Sequence, residues 1–223
     1  MNPLIAALDT ADLDLLGKLA ATIGPHVGHL KVGLEAYTAH GPAAVAAAAA
    51  HAPVFLDLKL HDIPTTVARA AAAAAGLGID LLTVHASGGP AMVGAAVDAA
   101  PGVRVLAVTV LTSLDDAALA AVGQPPAAEQ VPRLAAMARA AGAAGIVCAP
   151  VEAAAVRRVV GAAALVVTPG IRLPGSDHHD QARVATPRQA REAGASHLVV
   201  GRALTQSDDP GGVARAVLED LRG

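Results

Sequence analysis

Aromatic residues are almost absent from this chain of 223 residues, which has one Phe, one Tyr and no Trp. Proteins that bind single-stranded nucleic acid stack its bases on aromatic side chains, so this kind of surface is not expected here. Charged residues are also few, at 16%, and the net charge is -3 at pH 7. The chain therefore lacks the basic field that attracts a polyanion, and we expect no nucleic-acid partner.

Disulfides and membrane spans are not expected either. The single cysteine, Cys148, cannot form a disulfide within the chain, and its apolar surroundings (GIVCAP) are typical of a buried core thiol. Hydrophobic residues make up 54%, but the longest uncharged stretch, 36–56, is mostly Ala and is interrupted by Gly41, Pro42 and Pro53. The amino-terminal residues show no basic region of a signal peptide. We expect a cytoplasmic protein without a membrane partner.

Short apolar, β-branched runs alternate with Ala-rich segments of helical length along the whole chain. The predicted strands are 4–9, 30–34, 54–59, 81–85, 103–111, 145–149, 165–171 and 197–201, and the predicted helices are 13–23, 42–50, 66–76, 90–99, 131–141, 151–160, 187–193 and 213–221. Strands that are apolar on both faces and alternate with helices pair in parallel, either in a closed barrel or in an open doubly wound sheet.

The polar residues at the strand ends favour the barrel. An open sheet gathers its ligand groups at one switch point, whereas here most of the predicted strands end in a polar or charged residue. Polar groups at the carboxyl ends of many strands are typical of the active-site mouth of a TIM barrel. We therefore predict an α/β protein, a (β/α)8 TIM barrel that forms a single domain over residues 1–223. The longer connection 113–130 predicts an added helix on the rim.

The segment 55–67, FLDLKLHDIPTTV, carries the densest chemistry. Alternate residues of a strand share a face, so Asp57 and Lys59 are predicted to point together into the barrel, with Asp62 in the loop that follows. Two charges alone fit a structural ion pair as well as an active site. With Lys31 from the neighbouring strand the set has four alternating charges, which would stabilise a fold less than apolar packing does. Between two carboxylates a lysine stays protonated, and Lys59 is interpreted as a proton donor.

A second group of residues closes the last two predicted strands, as TPGIR (168–172) and VVGRAL (199–204). The loops after strands seven and eight commonly form the phosphate site of this fold. Gly201 permits close approach of a ligand, and Arg202 offers a forked charge that matches phosphate oxygens. An arginine where a helix begins opposes the helix dipole unless an anion lies there, which favours a phosphate ligand over a plain surface arginine. The polar loop 173–187 is a predicted lid.

These segments resemble the orotidine 5'-phosphate decarboxylase family over essentially the whole length. The resembling segments are ALDT (7–10), LKVGLE (30–35), FLDLKLHDIPTTV (55–67), VTVLTS (108–113), VTPGIRLPGSDHHDQAR (167–183) and VVGRALTQSDDP (199–210). The Asp-x-Lys-x-x-Asp element alone is shared with sister enzymes that act on sugar phosphates, but followed by Ile63, Pro64 and Thr66 it is specific. Thr65 departs from the Asn of the family, and both residues are small and polar.

The resemblance implies decarboxylation of orotidine 5'-phosphate (OMP) to uridine 5'-phosphate (UMP) without a cofactor or metal, in the biosynthesis of UMP. It implies that Lys59 protonates the ring carbon, that Asp57 lies beside the substrate carboxylate, and that the protein is a homodimer with shared active sites, in which Asp62 and Thr66 reach the partner's site. The implied substrate contacts are Asp9 and Lys31 to the ribose, Thr112 to the pyrimidine, and Arg172, Gln181, Gly201 and Arg202 to the phosphate.

Two other functions stay open on the sequence. The first is that of a metal-dependent sister enzyme, a 3-keto-gulonate 6-phosphate decarboxylase or hexulose phosphate synthase, for which Glu35 is the candidate metal ligand near the end of strand two. The second is that of a catalytically inactive phosphate-binding barrel that senses a nucleotide. The complete set of Asp57, Lys59 and Asp62 argues against the second.

Overall fold

Eight parallel strands follow one another around a closed barrel, in the order in which they occur in the chain. The structure, a computed structural model, describes residues 2–171 and 185–221. The strands are β1 (Leu4–Ala7), β2 (His29–Gly33), β3 (Val54–Leu60), β4 (Leu81–His85), β5 (Arg104–Val108), β6 (Gly145–Val147), β7 (Leu165–Thr168) and β8 (His197–Val200). β8 pairs with β1, with Leu198 opposite Leu4, and this pairing closes the sheet. The predicted TIM barrel is confirmed, and the open sheet is excluded.

Helices surround the barrel. They are α1 (Leu13–Ile23), α2 (Leu34–His40), α3 (Pro42–Ala49), α4 (Pro64–Ala75), α5 (Gly89–Ala99), α6 (Asp116–Ala121), α7 (Ala127–Ala140), α8 (Ala153–Val160), α9 (Pro187–Glu192), α10 (Arg202–Thr205) and α11 (Pro210–Asp220), with 3-10 helices at Gly24–His26, Ala86–Gly88 and Pro150–Glu152. Within the described ranges, no helix has the length and apolar character to cross a membrane.

The helices differ from the sequence prediction mainly at α2, α7, α10 and α11: α10 was not predicted, and α11 begins at Pro210 instead of residue 213. α2 was not predicted, because its seven residues between Gly33 and Gly41 are too few to show a helical period. α7 begins at Ala127 instead of residue 131, and the Ala127 N–H donates a hydrogen bond of 2.9 Å to Asp116 Oδ1 on the added rim helix α6. That rim helix was predicted, and Asp115 caps its first turn.

The core has two layers. Ile5, Phe55, Leu81, Leu106 and Val167 fill the barrel interior and are fully buried. A larger cluster, rich in Ala and Val, lies between the strands and the helices and includes Cys148, which is buried as expected. Small side chains in this outer layer let the helices approach the sheet closely.

A polar cluster lies at the amino-terminal end of the barrel, opposite the mouth. His29 begins β2, Arg104 begins β5 and His197 begins β8. Asp80 accepts hydrogen bonds from Arg104 and pairs with His29 Nε2 at 2.6 Å, while His197 Nδ1 lies 3.0 Å from Ser196 Oγ. Nε2 of His197 is buried and has no hydrogen-bond partner among the described residues. Burial, with the positive charges of His29 and Arg104 nearby, lowers the pKa of His197 to about 4.

This cluster predicts a loss of stability in acid. Between pH 6.5 and about 4 the unfolded chain binds a proton at His197 and the folded chain does not, so the free energy of unfolding falls as the pH falls. The interval from the ordinary pKa of 6.5 to about 4 corresponds to roughly 3 kcal/mol. Urea denaturation at several pH values should show this fall in the wild type and a smaller one in His197→Asn, which does not titrate. His51→Asn, at an exposed histidine, is the control and should behave as the wild type. An unchanged pH dependence in His197→Asn would contradict this assignment.

Candidate active site

A cavity of about 290 Å³ opens at the carboxyl ends of the strands. Phe55, Val147 and Val199 form part of its apolar lining. Seven of the predicted site residues line the same cavity: Asp9, Lys31, Asp57, Lys59, Thr112, Gly201 and Arg202. The structure thus brings together residues that five different strands or the loops after them contribute, over almost the whole chain. An apolar lining with a few convergent charged groups is typical of a small-molecule site.

Asp57 and Lys59 lie on an irregular part of β3. Lys59 Nζ donates to both carboxylate oxygens of Asp57, each at 2.9 Å. Leu58 and Leu60 pack toward the helices, as predicted. The predicted strand is present, but it is not regular, because Lys59 has a φ of 51° and the pairing with β4 shifts between Leu56 and Leu60. A non-glycine residue in this left-handed region is strained, and such strain is concentrated at functional sites.

Lys31 joins this pair to Asp9. Its Nζ lies 3.0 Å from Asp9 Oδ1 and 3.6 Å from Asp57 Oδ2, and the side chain is nearly buried. Burial alone would lower the pKa of Lys31, but the charges of Asp57 and Asp9 outweigh it and raise the pKa above its usual value. Burial alone would raise the pKa of Asp57, but Lys31, Lys59 and a hydrogen bond from Thr83 lower it. The cavity therefore holds fixed ammonium and carboxylate charges side by side.

Two residues of this arrangement were missed from the sequence. Thr83 on β4 is fully buried, donates to Asp57 Oδ1 at 2.8 Å and accepts from the Lys59 N–H at 2.9 Å. At Gly33, a Cβ would lie 2.9 Å from both Asp9 Oδ1 and Lys31 Nζ, so a larger residue there would displace the ends of these two side chains. The polar Thr83 inside the apolar run LLTV could have indicated its role from the sequence. No sequence feature indicates the role of Gly33.

Gly201 and Arg202 lie where β8 ends and α10 begins, on the opposite side of the cavity from β3 and β4. A Cβ on residue 201 would be 3.7 Å from the Cβ of Ala7, an ordinary contact, so packing within the protein does not require a glycine there. The absent side chain instead leaves space in the cavity for a ligand. Arg172 and Gln181, and most of the predicted lid 173–187, lie outside the described residues.

Asp62 and Thr66 do not reach the cavity of their own chain. Both are exposed, and Asp62 Oδ1 accepts a hydrogen bond of 2.6 Å from the N–H of Ile63, where the chain turns into α4. Every residue from 61 to 66 is exposed, and Ile63 is 66% exposed although it is apolar.

The donor groups in the cavity are poorly arranged for a metal ion. Glu35, the candidate metal ligand, is exposed on the first turn of α2 and borders a recess beside Asp9 and Arg202. The position between the carboxylates of Asp9 and Asp57 is held by the ammonium of Lys31. Within 2–171 and 185–221, His, Cys, Asp and Glu nowhere form a group of three or more with metal-binding geometry.

Comparison with known proteins gives one consistent result. Residues 2–217 match the model of the "Orotidine 5'-phosphate decarboxylase / HUMPS family". The chain is similar to an orotidine 5'-phosphate decarboxylase of Anaeromyxobacter sp. strain K, with 59% identity over 97% of this chain and 96% of that protein, and to one of Thermobifida fusca, with 54% identity over 99% and 96%. A crystal structure of orotidine 5'-phosphate decarboxylase from Lactobacillus acidophilus superposes with a TM-score of 0.88 at 37% identity and covers both chains completely.

Proposed function

The chain belongs to the orotidine 5'-phosphate decarboxylase / HUMPS family, and we infer that it is a carboxy-lyase that converts OMP to UMP and carbon dioxide. The observation that carries this function is the pair of Lys59 and Asp57, with Nζ 2.9 Å from both carboxylate oxygens in a cavity that Gly201 and Arg202 also line. In this proposal Lys59 is the proton donor and Arg202 binds the phosphate, and their presence in one cavity supports it.

The reaction requires a proton donor, because the substrate itself cannot delocalise the electron pair that decarboxylation leaves on the ring. When the carboxylate leaves OMP as carbon dioxide, the electron pair of the broken C–C bond stays on the ring carbon, where no conjugated group accepts it. Enzymes of such reactions lower the barrier by up to about 20 kcal/mol. The ammonium of Lys59 stabilises the developing carbanion and then transfers its proton to that carbon, which forms the C–H bond of UMP.

The remaining cavity residues hold the substrate in place. Arg202 and Gly201 bind the phosphate, Asp9 and Lys31 the ribose hydroxyls, and Thr112 the pyrimidine, while the family resemblance adds Arg172 and Gln181 to the phosphate site. Binding energy from the phosphate, remote from the bond that breaks, orients the carboxylate of the substrate beside Asp57. No step in this scheme uses a metal ion or an organic cofactor.

The homodimer is part of the proposal. Asp62 and Thr66 complete the cavity of the partner subunit, and their exposure and their position outside their own cavity support this. Ile63, Leu34 and Leu111 are apolar residues that follow β3, β2 and β5 at the mouth and are 66%, 54% and 38% exposed. A second copy of the chain that packs on this rim would bury them and bring the two active sites together.

Turnover of OMP, followed by its ultraviolet absorbance, tests the function. We expect decarboxylation that is unaffected by EDTA, since Lys31 already occupies the position between Asp9 and Asp57. Loss of activity with EDTA, together with turnover of a keto-sugar phosphate, would point to the sister enzymes. Binding of UMP by a folded protein that does not turn over OMP would indicate a nucleotide sensor.

The phosphate contact can be tested by removing one charge. We expect Arg202→Ala to lower kcat/KM for OMP by about 10- to 100-fold and for the nucleoside orotidine by less than about threefold, because only OMP presents the phosphate. Arg158→Ala, at an exposed arginine of α8, is the matched control and should change neither value. Equal losses on both substrates would show that Arg202 acts on the fold or on the chemical step instead.

A further inference from the structure

Thr83 lies at an unusual point of the barrel wall. It is fully buried on β4, in register with Leu106 of the barrel interior. Opposite it, β3 carries extra residues: Leu56 pairs with Leu82 and Leu60 pairs with Val84, so that residues 57–59 of β3 face Thr83 alone. This is a bulge, and a bulge interrupts the backbone hydrogen bonds of the ladder.

The bulge leaves the N–H of Lys59 without a backbone partner on β4, and the hydroxyl of Thr83 takes that place at 2.9 Å. A buried N–H without a partner is destabilising by about 1–3 kcal/mol. Lys59 itself is strained, with a φ of 51°. A side-chain hydroxyl therefore stabilises the one non-glycine residue of the described chain that has a positive φ.

The hydroxyl of Thr83 is both an acceptor and a donor of hydrogen bonds. It accepts from the Lys59 N–H, and its single proton is donated to Asp57 Oδ1 at 2.8 Å. Asp57 in turn accepts from Lys59 Nζ at 2.9 Å. The three residues thus form a closed ring of hydrogen bonds that holds Lys59 at both its backbone and its ammonium group. The hydroxyl contributes to the lowered pKa of Asp57, which keeps that carboxylate charged.

We propose that Thr83 is a positioning residue for the decarboxylation, whose hydroxyl fixes the backbone of Lys59 and the carboxylate of Asp57 so that the ammonium is aimed at the reacting carbon. The proposal rests on the proposed function, because it assigns Thr83 a role in the same reaction. Thr83 is not among the residues that line the cavity, so we expect its hydroxyl to have little effect on substrate affinity. A misplacement of the proton donor affects the chemical step far more than binding.

Thr83→Val, which keeps the β-branched shape and removes the hydroxyl, tests the proposal. We expect kcat for OMP to fall by about 10- to 100-fold, while KM and the affinity for UMP stay within about twofold. Thr83→Ser retains the hydroxyl and should restore kcat to within about threefold of the wild type. Thr168→Val is the matched control, since Thr168 is equally buried and its hydroxyl contacts only a backbone carbonyl, that of His197, among the described residues.

The outcomes separate this role from a structural one and from the function itself. Wild-type turnover of OMP tests the function, and only the variants test Thr83. The proposal is overturned if Thr83→Val retains kcat within about twofold, or if Thr83→Val and Thr168→Val lose kcat equally and in proportion to their loss of thermal stability. Thr83→Ala replaces Thr83→Val if the latter does not fold. Failure of both to fold would also overturn it, since a positioning role must be separable from folding.

Discussion

Replacement of Lys59 by Ala is expected to abolish decarboxylation while the protein still folds and binds UMP. The ammonium of Lys59 lies 2.9 Å from both oxygens of Asp57, closer than that of Lys31 at 3.6 Å. If Lys59 is the proton donor, as proposed, its removal takes away both the charge that stabilises the carbanion and the proton that the carbanion accepts, so we expect a loss of at least roughly 10⁴-fold in kcat. The measurements are OMP turnover, UMP affinity by calorimetry and the thermal unfolding temperature.

The sequence offers a matched control, because the chain has three lysines and Lys18 is exposed on α1, away from the mouth. Lys18→Ala should keep full activity. Lys59→Ala should bind UMP with nearly unchanged affinity, since Arg202, Asp9 and Thr112 remain in the cavity. More than a trace of turnover in Lys59→Ala would remove Lys59 as the proton donor, and a collapse of UMP binding would show that the residue is needed to shape the site.

The fold was predictable because its determinants are local. Most strands are largely apolar runs, the connections have helical length, and most of the charged residues that do not belong in a core come at the strand ends. Asp57, Lys59 and Lys31 could be placed on one face from strand alternation alone. The structure adds that Asp57 and Lys59 lie in a bulge of β3, where the pairing with β4 is shifted.

What the sequence could not predict depends on contacts between distant segments. The hydrogen bond between Thr83 and the Lys59 N–H joins residues 24 positions apart, and it exists only because β3 and β4 pair with a shifted register. The limited space at Gly33 arises where Asp9 and Lys31, 22 positions apart, form their ion pair. These contacts form only in the assembled barrel, and no pattern within a single strand predicts them.

The role of Asp62 also depends on a contact that the sequence does not show, in this case one between subunits. In its own chain Asp62 is exposed at the start of α4 and does not line the cavity that holds Lys59. If each active site takes Lys59 from one subunit and Asp62 from the other, Lys59→Ala and Asp62→Ala should each be inactive but should complement each other. A mixed dimer of the two then has one site with both defects and one site with neither.

This gives a quantitative expectation. Random reassortment of equal amounts makes about half of the dimers mixed, each with one intact site of two, so activity should rise from nearly none to roughly a quarter of the wild type. The measurement is OMP turnover after mixing, brief dissociation in mild denaturant and reassembly, with labelled chains to show that subunits have exchanged.

The converse mixture is the control that makes the result decisive. When wild type is exchanged with the double variant Lys59→Ala/Asp62→Ala, the mixed dimers have no intact site if the sites are shared. Activity should then fall from about half to about a quarter of that of the same total amount of wild type. If Asp62 acts within its own subunit, this second mixture keeps its half and the first gains nothing. Such a result, with exchange demonstrated, would place Lys59 and Asp62 of one chain in the same active site and would refute the shared site.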